Sequence, residues 1–302
     1  MGNLTSIVSY PERGAGGNNK YRGNCSPQVI KDLITHFGIT EICDYMCGSN
    51  TTKDAADALG IKSHTYDLHS GFDLINHDIQ ERPGYIFWHP PYHDIIKYSG
   101  NMYCPDNVKS KHGYDPTVSD LSHIAEWSDF VKSMNYCMMK QYSSLQKGGR
   151  MAVLVGDIKK KGKLYSMLFE LVKPGTLENV VIKTQHNCSS GSTRYSGNFI
   201  PIVHEYLLLL KKDDALIIPV LITQQRNADI RDIDCSTWRN VVSAVMESFP
   251  DTSCLENIYS KIDGHKKCSN NKHWKEKVRQ TLQIYPEFVS TDKGKWQLLK
   301  VA

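Results

Sequence analysis

The chain has 302 residues, 40% hydrophobic and 23% charged, with a formal net charge of +4; this is the make-up of an ordinary globular protein with room for one α/β domain of roughly 200 residues and a small second one. The modest charge excludes wholesale polyanion binding and leaves only local basic patches. Nine cysteines with no CxxC pair argue against a zinc site and a disulfide framework and for reduced thiols in a cytoplasmic protein, and no apolar run approaches the roughly 20 residues of a membrane span.

Residues 11–24 are rich in Gly and Asn and read as a loop. Ser26-Pro27 starts a helix whose apolar positions are Val29, Ile30, Leu33, Ile34 and Phe37, ending at Gly38. A strand is predicted over 39–46, a turn at Gly48-Ser49-Asn50, a helix over 51–59, a strand over 63–66 ending at Asp67, and a strand over 85–88 stopped by Pro90-Pro91. A polar loop over 99–123, suited to closing over a substrate, precedes a helix over 127–145. Strands over 151–155 and 202–210 follow. Alternating strands and helices predict a Rossmann-like, doubly wound, mostly parallel sheet.

Ligands of such sheets sit at the carboxyl ends of the strands, near the reversal of strand order. The segment Asp44-Tyr45-Met46-Cys47-Gly48-Ser49-Asn50 falls at such an end, and Gly48 lets the backbone approach a ligand. Asp67 is placed to accept from ribose hydroxyls, and Asp78, in the next loop, from an adenine amino group. A Gly-Ser turn by itself is usually only a turn; the acidic strand ends in series give it weight.

The most informative stretch is His89-Pro90-Pro91-Tyr92. Two prolines after an apolar strand fix the backbone and leave carbonyls without internal partners. The stretch resembles the signature Asp/Asn/Ser-Pro-Pro-Tyr/Phe/Trp of the S-adenosylmethionine (SAM)-dependent DNA amino-methyltransferases. An exocyclic amino nitrogen is a poor nucleophile because its lone pair is delocalised into the base. In that family the first side chain and a proline carbonyl accept its two hydrogens and turn the lone pair toward the methyl donor, and the aromatic ring stacks on a flipped-out base. The resemblance extends over nearly all of residues 1–212. Tyr21 to Pro27, with Asn24 and Ser26, resembles the cofactor-binding segment, Asp44 to Asn50 the glycine loop, Gln146 to Asp157 a later core strand, and His204 to Leu208 the end of the catalytic fold. The order is that of the γ-type enzymes. The departure is His89 in place of Asp, Asn or Ser; a neutral imidazole still has one acceptor nitrogen, and a protonated one has none.

Residues 213–236 read as a linker with one apolar strand over 216–222. Residues 237–302 hold three helical patterns and a hairpin about Thr291-Asp292-Lys293-Gly294, the layout of a winged helix-turn-helix domain. This segment is locally basic, and Lys272, Lys275, Arg279 and Lys293 are its candidate DNA contacts, with Lys160 and Lys161 beside the catalytic fold. The resemblance therefore implies an enzyme of DNA modification that uses SAM to methylate adenine N6, and the lack of a large separate target-recognition segment in this sequence suggests low sequence specificity. Cytosine-N4 methylation, RNA base methylation and a non-catalytic DNA-binding relic stand as the alternatives. Oligomeric state, a homodimer or a partner subunit, stays open.

Overall fold

The computed structural model describes residues 4–18, 20–96, 98, 104–186, 198–223, 228–233 and 236–299. The chain divides into two compact units, Met1–Gln224 and Gln225–Ala302.

The first unit is built on seven strands: β1 (Ile7–Ser9), β2 (Glu41–Asp44), β3 (Lys62–Thr65), β4 (Tyr85–Trp88), β5 (Arg150–Val155), β9 (Thr176–Thr184) and β10 (His204–Lys211). A small hairpin of β6 (Ile158–Lys160) and β7 (Lys163–Tyr165), and the short strand β8 (Lys173–Pro174), lie between β5 and β9. The sheet order is β1-β9-β10-β5-β4-β2-β3. Strands β3, β2, β4 and β5 run parallel, β10 is antiparallel to both β5 and β9, and β1 is parallel to β9. The expected doubly wound, mostly parallel sheet is present. From β2 the chain steps outward to β3, then returns to the other side of β2 to lay down β4. The switch point therefore lies between β2 and β4.

Alternation along the strands explains why both faces are covered. On one face Tyr85, Phe87, Ala152, Leu154, Leu207 and Leu209 pack with helices α1 (Pro27–Phe37) and α2 (Thr51–Ala58). On the other face Ile86, Trp88, Met151, Val153, Leu208 and Leu210 pack with Phe130, Met134, Met138 and Tyr142 of α4 (Trp127–Ser144). Successive residues thus bury on opposite sides, and β4 and β5 read as unbroken apolar runs because both of their faces are inside.

Helix α1 begins where Ser26 accepts from the Gln28 backbone N–H with Pro27 in the first turn, and ends where Gly38, at φ 60°, donates to the Ile34 carbonyl. Three parts of the unit differ from expectation. Strands β1 and β9 and the β6–β7 hairpin were not foreseen. The segment read as a loop contains helix α3 (Pro105–His112) and two short 3₁₀ turns, Pro116–Val118 and Leu121–His123, while its residues 99–103 lie outside the described residues. The strand expected over 216–222 is present but confined to Val220–Leu221, which pair with Lys173–Pro174 of β8.

The second unit contains helices Trp238–Glu247, Leu255–Ile262, Lys266–Ser269 and Trp274–Ile284. Its antiparallel sheet has Lys295–Leu298 in the middle, between Ser253–Cys254 and Phe288–Asp292. Thr237 caps the first helix in a reciprocal box with Asn240. Val241, Val245, Ile258, Ile262, Val278, Leu282 and Phe288 form its own core. Among the described residues of the chain no helix is long and apolar enough to cross a membrane.

Candidate active site

A cavity opens at the switch point. Its floor comes from the strand ends: Asp44 to Ser49 after β2, Asp67 and Leu68 after β3, and Phe87, His89 and Pro91 at β4. Tyr21, Gly23, Asn24 and Cys25 precede α1 on one side. Phe72 to Ile75, Ser119 to Leu121 and Tyr98 complete the wall. Of the residues singled out in the sequence, Asn24, Asp44, Gly48, Asp67, His89 and Pro91 therefore meet in one place.

The glycine loop is fastened by the carboxylates around it. Asp44 is buried and accepts from the Met46 backbone N–H at 3.0 Å and the Thr52 hydroxyl at 2.5 Å. Burial pushes its pKa up to about 7. Asp67 accepts from the Gly48 N–H at 2.8 Å and from His69 Nδ1 at 2.7 Å, and the bond to Asp67 raises the His69 pKa. Gly48 has φ 47°, and a Cβ there would stand 3.0 Å from the Tyr21 ring, so the backbone is covered closely by that ring. Tyr21 in turn lies beside Tyr98, with ring centroids 5.6 Å apart.

Among the described residues four carboxylates line the cavity, Asp44, Asp67, Asp73 and Asp120, and no Lys or Arg does. The apolar part of the wall is Tyr45, Phe72, Leu74, Ile75, Phe87 and Leu121. Such a lining suits a cationic ligand rich in hydroxyl and amino donors around a flat ring.

Several singled-out residues lie elsewhere. Ser26 is spent on capping α1 and on the Arg13 carbonyl. Asn50 takes the left-handed backbone (φ 62°) ahead of α2 and accepts from the Cys47 thiol. Asp78 is exposed and away from the cavity; the acid that reaches it from this loop is Asp73, which also accepts from Ile75, Asn76 and the Asn76 amide. Asp73 and Asp78 lie in the same loop between β3 and β4, and no local pattern in the sequence distinguishes them.

Pro90 is buried and does not line the cavity. Tyr92, expected to offer its ring to a base, does not line the cavity. Its hydroxyl donates to Glu205 Oε1 at 2.8 Å and lies 3.0 Å from His89 Nε2. Its ring packs on Gly156, where a Cβ would come within 2.8 Å. Glu205 Oε2 pairs with Lys183 Nζ at 2.7 Å, both side chains being under one-tenth exposed. Burial alone would raise the Glu205 pKa, but the Lys183 charge beside it and the Tyr92 bond hold it below the usual value. Burial pushes the His89 pKa down to about 4, so its imidazole is neutral at physiological pH. Lys183 escaped the sequence reading and Glu205 entered it only within the His204 to Leu208 segment; the signal was a charged residue on the buried side of an apolar strand.

Among the proposed DNA contacts, Lys160 is paired with Asp94 and lies 2.9 Å from His93 Nδ1, while Lys161 is exposed at the tip of the β6–β7 hairpin. In the second unit Lys272, Lys275, Arg279 and Lys293 are exposed. Val278 and Leu282 of the same helix are buried, so Lys275, Arg279 and Gln283 share its outer face at i, i+4, i+8 spacing.

No protein-family model matches the chain, and no curated protein sequence matches it. Solved structures with distant likeness include a Thermus thermophilus protein provisionally described as a DNA modification methylase, 13% identical over 64% of this chain and 58% of that one, with a TM-score of 0.28. TrmN from Thermus thermophilus is 13% identical over 64% of this chain and 51% of its own, with a TM-score of 0.28. The glycopeptide N-methyltransferase MtfA in complex with sinefungin is 10% identical over 70% of this chain and 78% of its own, also with a TM-score of 0.28. The chain thus spans little more than half the length of the first two. Likenesses this distant assign no activity.

Proposed function

We propose that this protein is a SAM-dependent methyltransferase acting on the N6 amino group of adenine in DNA. The observation that carries the reading is the meeting of His89 and Pro91, from the twin-proline segment, with Asp44, Gly48 and Asp67 in one cavity at the switch point.

The cavity fits the donor by its chemistry. SAM is a nucleoside with vicinal hydroxyls, a ring amino group, an ammonium, a sulfonium and a single carboxylate, so it is net cationic, and it carries no phosphate. The carboxylates match those donors and charges, and the aromatic and aliphatic wall matches the adenine ring. When bound, the sulfonium supplies an electrophilic methyl: the amino lone pair forms the N–C bond as the C–S bond breaks toward sulfur, and the nitrogen then loses one proton.

The chain's own part is positioning. His89 is a neutral acceptor at the cavity edge. Among the described residues the carbonyls of Pro90 and Pro91 accept no backbone hydrogen bond. An imidazole nitrogen and a proline carbonyl can therefore take the two amino hydrogens and localise the lone pair. The proton released on methylation is acidic enough to pass to that imidazole. The second unit, with helices, a three-stranded sheet and a basic outer helix face, is read as a winged helix-turn-helix domain that holds the duplex.

The experiment is to incubate unmethylated plasmid with the protein and labelled SAM, digest to nucleosides and identify the product by mass. N6-methyladenine is expected. N4-methylcytosine would keep the amino-transfer chemistry and change the base. Absence of a methylated nucleoside, together with no SAM binding by calorimetry, would refute the reading. Mapping the methylated positions tests for low sequence specificity, which one long unique consensus would contradict. His89→Ala should lower transfer by roughly 10²-fold, the usual cost of losing one transition-state hydrogen bond.

A further inference from the structure

We propose that Lys183, Glu205 and Tyr92 form a positioning chain that holds the His89 imidazole in its Nε2–H tautomer and so presents Nδ1 to the cavity as the acceptor. This rests on the methyltransferase reading for its purpose, but not for its geometry.

Lys183 of β9 and Glu205 of β10 are directly opposite in the strand register. Their side chains meet at 2.7 Å. An ionised carboxylate only accepts hydrogen bonds. Tyr92 has one hydroxyl proton, and it goes to Glu205 Oε1 at 2.8 Å. The Tyr92 oxygen can then meet His89 Nε2, 3.0 Å away, only as an acceptor, so Nε2 must carry the hydrogen. A neutral imidazole has one N–H, and Nδ1 is left with a lone pair. Among the described residues Nδ1 makes no hydrogen bond, and it is not among the buried polar atoms without a partner. The ring itself lines the cavity.

Each member has a separate task. Lys183 keeps Glu205 ionised and therefore unable to donate. Glu205 fixes the direction of the Tyr92 hydroxyl. Tyr92 transfers that direction to the imidazole. Where the related motif has a carboxylate, either oxygen accepts; a histidine can present the wrong nitrogen, and the buried pair removes that choice. The pair serves the site from two strands that contribute no residue to the cavity.

The test is long-range ¹H–¹⁵N NMR of the full chain labelled with ¹⁵N-histidine at neutral pH, with His89 assigned as the signal lost in His89→Asn. The wild type should show a protonated Nε2 and an unprotonated Nδ1. Tyr92→Phe should give an average of both tautomers. Glu205→Gln, whose amide can donate to Tyr92, should turn the hydroxyl round and favour Nδ1–H. Lys183→Arg should retain the wild-type pattern. A wild-type Nδ1–H form, or a pattern unchanged in folded Tyr92→Phe and Glu205→Gln, would overturn the proposal. The measurement needs no donor, so a correct tautomer in a protein that fails to bind SAM would refute the methyltransferase reading alone. If both hold, Glu205→Gln should lower kcat by roughly 10²-fold with KM for SAM unchanged.

Discussion

Asp44 and His89 are two titratable groups that burial moves in opposite senses, to about 7 and about 4. The Asp44 pKa is raised on folding. Its contribution to stability is full below the unfolded value near 4 and is lost as pH rises through 7. A bound cation reverses that preference by favouring the carboxylate. SAM affinity should therefore increase as pH rises toward 7 and level off above it, with release of up to one proton on binding. Calorimetry in buffers of different ionisation enthalpy measures that proton, and Asp44→Asn should abolish it. The His89 pKa is lowered on folding. Its contribution to stability is present above the unfolded value near 6.5 and is lost as pH falls toward 4. At saturating donor, kcat should show no inflection from His89 near 6.5 and should fall only as pH approaches 4. A fall centred near 6.5 that vanishes in His89→Asn would contradict the neutral, desolvated imidazole. Ser26, expected at the cofactor, is an N-cap in the structure. Ser26→Ala should cost about 1 kcal/mol of stability and leave SAM affinity unchanged; weaker binding in the folded variant would return Ser26 to the site.

Among the elements, those with strong local signals were legible in the sequence. Helix α1 had its serine cap, proline start and glycine stop, and β4 had an apolar run ended by prolines. Strand β9 was hidden because its buried side carries Lys183, whose counter-charge Glu205 is 22 residues further on, beyond any local pattern. The helix at Pro105–His112 has only Val108 buried, too little to give an amphipathic period. Asp73 and Asp78 share the loop between β3 and β4, where no periodicity singles out the acid that reaches the cavity. The site residues carried by strand ends were therefore predictable, whereas those positioned by long-range pairing were not. The ion pair between β9 and β10 has an energetic test. Lys183→Met should destabilise by about 3–5 kcal/mol by leaving a buried charge alone, and the Lys183→Met/Glu205→Leu double variant should recover most of it, as read by urea denaturation.

At the scale of the molecule, the two compact units divide the labour under the proposed chemistry. The first holds the cavity, and the second carries the exposed Lys275 and Arg279 on one helix face. Lys275→Glu/Arg279→Glu should weaken duplex binding and lower its salt dependence by roughly two counterions, with SAM affinity unchanged. Titrating labelled duplex at several salt concentrations measures both quantities; an unaltered slope would take the duplex away from this face.

The acid-lined cavity also bears on turnover. Methyl transfer converts the sulfonium into a neutral thioether, so the spent molecule leaves behind carboxylates that have lost part of their counter-charge. Asp44, with a pKa near neutrality, can meet that loss by taking up a proton. Under the proposed chemistry the cavity should then hold its by-product less firmly than its reagent, with the same carboxylates that draw the reagent in driving the exchange.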